Sequence, residues 1–163
     1  MIRPYDATDD GDEEALWTLK RAFELGLGSA TGGDEKAAVY EGKLDEDYRT
    51  RYLAWVDRCV EEEPRAVHVA EVDDEVAGYV FVLPASLAFI WDAAVLNEVF
   101  VAPEHRGTDV ADDLMDAALT VARDQDLPLD RMVLDVDREN DRAQAFYERW
   151  GFSHWGEMVA REL

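Results

Sequence analysis

The residues with the clearest chemical potential lie between Leu96 and Ala111, in the order Leu96-Asn97-Glu98-Val99-Phe100-Val101-Ala102-Pro103-Glu104-His105-Arg106-Gly107-Thr108-Asp109-Val110-Ala111. An apolar run rich in β-branched and aromatic residues, closed by Pro103, predicts a buried strand. A short basic turn follows, and then a helix opening at Thr108 or Asp109, with Val110, Leu114, Ala117, Ala118 and Val121 at helical spacing. A strand feeding a helix N-terminus leaves backbone N–H groups converging on one spot, with the positive end of the helix dipole behind them. His105 and Arg106 stand just before that spot, so this turn is a candidate phosphate cradle. Glu98 is the best acidic candidate, because an unpaired carboxylate in an apolar strand is costly. A P-loop is excluded, since no Gly-Lys-Ser/Thr follows the turn. No Cys/His cluster has metal-ligand spacing, and no metal is expected.

These residues need a scaffold, and the rest of the chain predicts one. Ile2 to Tyr5 forms a short strand, and Asp9 or Asp10 caps a helix reaching about Leu25 with Leu16, Leu19 and Phe23 inward. Gly26 to Gly42 holds five glycines plus Ser29 and Thr31, and is expected to be a loop or broken helix. A second helix covers about Leu44 to Glu62, its stripe made by Tyr48, Tyr52, Trp55, Val56 and Cys59, until Pro64 stops it. Ala66 to Val72 and Glu75 to Leu83 read as a hairpin about Asp73-Asp74. Pro84 to Asp92 is a loop with Phe89 and Trp91 exposed.

Beyond the central unit, Arg131 to Val136 is a buried strand. Asn140 caps a helix with Ala143, Phe146, Tyr147 and Trp150 inward, and Gly151 ends it. Phe152 to Trp155 and Glu157 to Glu162 are closing strands around Gly156. The expected order is β-α-α-β-β-β-α-β-α-β-β: an α/β domain with a mixed central sheet flanked by helices, spanning residues 1–163 as one unit.

A chain of 163 residues is long enough for one domain with a sizeable core. No run reaches the ~18 apolar residues of a membrane span, and Met1-Ile2-Arg3-Pro4 is no signal peptide. Cys59, alone of its kind, allows no internal disulfide and sits on a helix stripe as a small core residue. Net charge is −22, spread along the chain, with Lys20, Lys36 and Lys43 as the only lysines. Such a chain repels itself at low salt, and at ~1 M salt the screening length falls to about 3 Å. A cytoplasmic protein of a salt-rich, halophilic cell is therefore expected. The alternative is an acidic surface for a basic partner, which would cluster the charge. Nucleic acid and membranes are disfavoured as partners.

Arg106-Gly107-Thr108-Asp109-Val110-Ala111 resembles the cofactor-binding motif of the GNAT-type N-acetyltransferases, Arg/Gln-x-x-Gly-x-Gly/Ala after a strand, with Asp109 in place of the central glycine. A second stretch, Asn140-x-x-Ala143-x-x-x-Tyr147-x-x-x-Gly151-Phe152, resembles the same family with every spacing kept. The GNAT-like fold implied agrees with the element order. The resemblance implies an acyltransferase moving acetyl from acetyl-CoA, as co-substrate, to a primary amine by direct attack in a ternary complex.

It assigns the pyrophosphate to the backbone of Gly107, Thr108, Asp109, Val110 and Ala111, with Arg106 adding charge and His105 near phosphate. Pantetheine is assigned to the strand at Val99, Phe100 and Val101, where it splays from Leu134 to Val136. Asn140 caps its helix and neighbours the cofactor, while Arg142 reaches coenzyme A phosphates or is simply solvated. Tyr147 is the residue that in many members gives a proton to the departing sulfur, the alternative being a core aromatic. Glu98 matches an acidic residue that acts as base or holds a cationic acceptor, the alternative being an outward-facing strand residue. Asp109 is expected to set its charge against the pyrophosphate and weaken coenzyme A binding at low salt, softened by screening at high salt or by the side chain turning back to cap the helix.

The acceptor, whether small amine, amino sugar or protein amine, stays open, because 26–42 and 84–92 carry no motif. A homodimer is a possible assembly. The alternative function is a non-catalytic domain of the same fold that binds acyl-CoA weakly or acts through protein contacts. Asp109 favours it, whereas Tyr147 and the complete second motif oppose it.

Overall fold

The computed structural model describes the backbone of residues 1–30 and 33–163. The elements are β1 (Ile2–Pro4), α1 (Asp10–Ala30), α2 (Gly33–Lys43), α3 (Glu46–Glu62), β2 (Val67–Val72), β3 (Glu75–Val82) and α4 (Ala85–Ala88). Then come β4 (Ala94–Val101), a 3-10 turn (Pro103–His105), α5 (Val110–Asp124), β5 (Met132–Val133) and α6 (Asp141–Arg149). The five strands lie in the order β1-β2-β3-β4-β5. The first four are antiparallel and β5 joins β4 in parallel, so the sheet is mixed and flanked by helices. This is the α/β class expected.

Strand alternation sorts the core into two faces. On one face α1 and α3 bring Leu16, Trp17, Leu19, Tyr52, Val56 and Cys59 onto Val69, Tyr79 and Phe81. On the other, α5 brings Leu114, Met115, Ala118 and Val121 onto Val80, Val82, Leu96 and Val101, with Phe146, Tyr147 and Trp150 of α6 packed alongside. The β2–β3 turn is a tight two-residue connection. Asp73 and Asp74 both hold positive φ, 52° and 65°, the conformation that matches the strands' twist.

Of the two readings of the segment 26–42, loop or broken helix, the second fits: α1 runs on to Ala30 and α2 covers Gly33–Lys43, while residues 31 and 32 lie outside the described residues. Gly33 and Gly42 sit at the ends of α2, and between them come good helix formers such as Glu35, Ala37 and Ala38, so the glycines interrupt less than their number suggests. The segment 84–92 contains one helical turn, with Phe89 and Trp91 exposed as expected.

The strand predicted over Arg131 to Val136 pairs only at Met132 and Val133. The closing strands predicted over 152–162 are absent among the described residues. A strand needs a partner's backbone to complete its hydrogen bonds, and a two-residue β5 offers too short a template. Among the described residues no helix is long and apolar enough to cross a membrane.

Candidate active site

The parting of β4 and β5 is the first feature of the site. They pair only at Ala94–Met132 and Val95–Val133, so from Leu96 onward the edge of β4 that faces β5 has no strand partner among the described residues. The β3 ladder shows which groups line that edge. Val99 and Val101 face Val80 and Gly78, and Ala102 N–H donates to Ala77. In an antiparallel ladder the main-chain groups alternate sides, so Ala102 and Phe100 turn theirs to β3. Those of Val99 and Val101 turn to the gap. Accordingly, the Val101 carbonyl accepts from Arg106 Nε at 3.1 Å.

At the C-terminal end of β4 the chain makes the turn that builds the cradle. Pro103 opens the 3-10 turn, and His105 N–H donates to the Ala102 carbonyl. Gly107 takes φ +77°, a left-handed conformation costly for other residues, and a side chain there would meet nothing within 4 Å. The Thr108 hydroxyl donates to the His105 carbonyl at 2.6 Å and accepts from Val110 N–H at 3.4 Å. Asp109 is the N-cap by backbone, its carbonyl accepting from Asp113 N–H at 2.9 Å. Its side chain makes no capping bond, so of the two ways to soften its charge only screening by salt is left. Its φ/ψ of −76°/−5° is already helical, whereas a capping side chain works from extended backbone.

Two arginines stand near this mouth. Burial, and after it the positive field of Arg142 on α6, hold the Arg106 guanidinium below its ordinary value. Guanidiniums that repel one another beside a helix N-terminus are what a polyanion neutralises. The cradle backbone, Gly107 and the two arginines therefore fit a coenzyme A pyrophosphate.

Helix α6 is anchored at both ends. Asn140 Oδ1 accepts from Ala143 N–H at 3.2 Å. At the far end Gly151, at φ +87°, lets Phe152 N–H reach the Tyr147 carbonyl at 3.0 Å and its own N–H reach Glu148, a full Schellman closure. Tyr147 lies edge-on to Phe146 and Phe152. It packs in the same cluster as Val99, Val110, Ala111 and Leu134, so the structure brings it to the cradle's side of the sheet. Burial pushes its phenol up to about 12, so at neutral pH the group is a proton donor.

Glu98 and Phe100 point to the opposite face. Phe100 packs edge-on to Phe23 under the Arg106 guanidinium. Glu98 is 5% exposed, the reverse of a solvated edge residue. Its Oε1 accepts from Lys20 Nζ at 2.8 Å and Asn97 at 3.3 Å, and its Oε2 from the Tyr52 and Tyr79 hydroxyls at 2.9 and 2.8 Å. Lys20 in turn donates to Glu24 at 2.5 Å. Burial followed by the Glu98 charge raises both tyrosines well above their usual range.

Sequence reasoning did not find Lys20, Tyr52 and Tyr79 as Glu98's partners, nor Glu24 as the second partner of Lys20. A signal existed in α1, where Lys20 and Glu24 form an i,i+4 pair among the inward residues Leu16, Leu19 and Phe23. A solvated pair does not belong on an apolar stripe.

Comparison with known proteins agrees with this geometry. The sequence profile of the Acetyltransferase (GNAT) family matches residues 33–152. An uncharacterized N-acetyltransferase of Mycobacterium tuberculosis strain H37Rv is 28% identical over 153 residues, covering 93% of this chain and 88% of that protein. A 5-NmdU N-acetyltransferase of Pseudomonas phage PaMx11 is 30% identical over 96 residues, 59% of this chain and 63% of its own length. Thus the match spans under two thirds of the phage protein. Among solved structures, a PaiA N-acetyltransferase of Thermoplasma acidophilum in complex with coenzyme A superposes with TM-score 0.71 at 19% identity, over 94% of this chain and 89% of that one.

The fold and the matched profile define an acyltransferase class. The chain belongs to the acetyltransferase (GNAT) family.

Proposed function

We propose that this protein transfers an acetyl group from acetyl-CoA to a primary amine in a ternary complex. The single observation that carries the proposal is the parting of β4 from β5 directly upstream of the α5 N-terminus. That arrangement suits an extended chain bonding to Val99 and Val101, with its pyrophosphate on residues 107–111 under Arg106 and Arg142. Acetyl-CoA supplies an activated thioester there. Val99 and Val101 orient it, Phe100 supports the Arg106 guanidinium, and His105 and Asn140 shape the two turns flanking the groove.

In the reaction the amine nitrogen bonds to the thioester carbon and the carbon–sulfur bond breaks. Tyr147 gives its phenolic proton to the departing sulfur, a role supported by its raised pKa and its place in the Val99–Val110 cluster. The proton lost by nitrogen leaves to solvent. Glu98 accepts four hydrogen bonds, one of them from an ammonium, so it serves better as the fixed negative charge of the acceptor side than as a free base. The dispersed negative charge supports a cytoplasmic setting in a salt-rich cell.

The test is calorimetric titration with acetyl-CoA in molar salt, followed by a panel of primary amines with detection of released thiol. Binding without transfer to any amine supports the non-catalytic alternative, and absence of binding ends the proposal.

A further inference from the structure

Beside Glu98 lies a second carboxylate with a different kind of partner. Glu24 is 5% exposed. Its Oε1 takes an aligned hydrogen bond from the buried Lys20, while its buried Oε2 has no aligned hydrogen bond. What faces Oε2 is the ammonium of Lys43, at 2.8 Å, carried on the last turn of α2. The same ammonium lies 4.4 Å from the centre of the Tyr40 ring and 5.4 Å from that of Tyr48.

A carboxylate and two aromatic faces are a cation cage. Its occupants differ in kind. Lys20 is interior and hydrogen-bonded to both carboxylates; Lys43 is 38% exposed and pairs with Glu24 from the solvent side. Lys20 is built into the core, whereas Lys43 can leave for water at little desolvation cost. Among the described residues its departure would leave Glu24 and Glu98 sharing the single charge of Lys20, and a buried excess of negative charge draws in another cation.

We infer that the cage of Glu24, Tyr40 and Tyr48 is a subsite for an ammonium group of the acceptor, and that Lys43 is its internal occupant, displaced when the acceptor binds. This rests on the acetyl-transfer reading above and narrows it. An ammonium has no lone pair, so the nitrogen anchored in the cage is not the nitrogen that attacks the thioester. The acceptor class is therefore a molecule with at least two basic nitrogens, one charged and anchored, the other deprotonated and reactive.

The experiment titrates 1,4-diaminobutane calorimetrically into the full chain without acetyl-CoA. Lys43→Gln, which frees the cage, should bind the diamine at least fivefold tighter than the parent. Adding Glu24→Gln should cancel the gain; if that double variant does not fold, Lys43→Gln with Tyr40→Ala reads the same subsite. Equal affinity of parent and Lys43→Gln, no binding by either, or a gain that survives the second substitution overturns the inference. Thiol release with acetyl-CoA separates the two claims. A Lys43-dependent shift in binding without transfer keeps the subsite and removes the transfer reading, and transfer without the shift does the opposite.

Discussion

The indole N–H of Trp150 donates to Asp112 Oδ1 at 2.7 Å, and Arg149 meets the same oxygen at 2.8 Å. One carboxylate in the first turn of α5 thus fastens the last turn of α6, joining the helix that opens the cradle to the helix that carries Tyr147. Asp112→Ala removes both contacts and should cost about 1 kcal/mol of stability, the usual net worth of a protein hydrogen bond, with a fall in turnover as Tyr147 loosens. Asp112→Asn keeps an acceptor for the indole and should recover most of the turnover. Melting curves and thiol-release rates for the two variants check this.

The pH dependence of that clamp has a definite sign. Arg149, opposed by a small burial effect and helped by Trp150, holds the Asp112 carboxyl below its ordinary value. The stability it adds is complete above the unfolded carboxylate value of about 4 and is lost as pH falls through the lower folded value. Acid unfolding followed between pH 5 and 2 should therefore lose less stability in Asp112→Asn than in the parent. Parallel curves would remove the clamp from the explanation.

Tyr147→Phe should fold normally and bind acetyl-CoA with similar affinity while losing tenfold or more in turnover, within the ~10²–10⁴ scale of acid catalysis. Because burial pushes the phenol up to about 12, Tyr147 stays protonated through pH 10 and should contribute no falling limb to the rate profile below that. An unchanged turnover in the variant retires Tyr147 as the acid.

Much of this site was legible because local rules and tertiary demands agreed. Asn140 and Gly151 bracket α6 by cap chemistry, and Asp73-Asp74 turns the hairpin by backbone preference, so both read directly from sequence. What was not legible depends on contacts distant in the chain. Glu98 is held by Lys20, Tyr52 and Tyr79, which are 78, 46 and 19 residues away, and no periodicity encodes such a meeting. The closing strands were predicted on either side of a turn at Gly156, but pairing is decided by the partner, and β5 ends at Val133. For Gly26 to Gly42 the broken-helix reading is the one that fits, with α1 running to Ala30 and α2 starting at Gly33.

Gly78 shows how tightly the core holds β4. A Cβ there would lie 2.7 Å from the Phe100 carbonyl oxygen, 3.2 Å from Leu114 Cδ1 and 3.3 Å from Val101 Cα. The first contact is backbone, so β4 itself must move. Gly78→Ala should cost about 1–3 kcal/mol, as overpacking does, and weaken acetyl-CoA binding by displacing Val99 and Val101. Gly42→Ala, where the new carbon meets nothing within 4 Å, is the control and should leave binding alone. Equal acetyl-CoA affinity in the two variants would mean that the β4 backbone does not hold the cofactor.

Asp109 carries the last prediction, because it stands where the family pattern has glycine. Its backbone is helical, so the position does not demand glycine, and its carboxylate is not consumed by a cap. The Thr108 hydroxyl takes the capping place at Val110 N–H, which leaves the Asp109 charge beside the cradle. Two unit charges about 4 Å apart repel by ~1 kcal/mol in water and ~4 kcal/mol at an effective dielectric of 20, roughly one to three decades of affinity. Molar salt screens the exposed part of that repulsion. Acetyl-CoA binding should therefore improve as salt rises, the reverse of ordinary phosphate recognition. Asp109→Asn removes the charge without altering the backbone. It should tighten binding several-fold at low salt and less at about 1 M, where the screening length is near 3 Å. Asp109→Gly should follow it, since no strain is relieved. Calorimetric titration of the three proteins at both salts decides the matter: affinities that coincide at each salt would show that this carboxylate does not face the pyrophosphate.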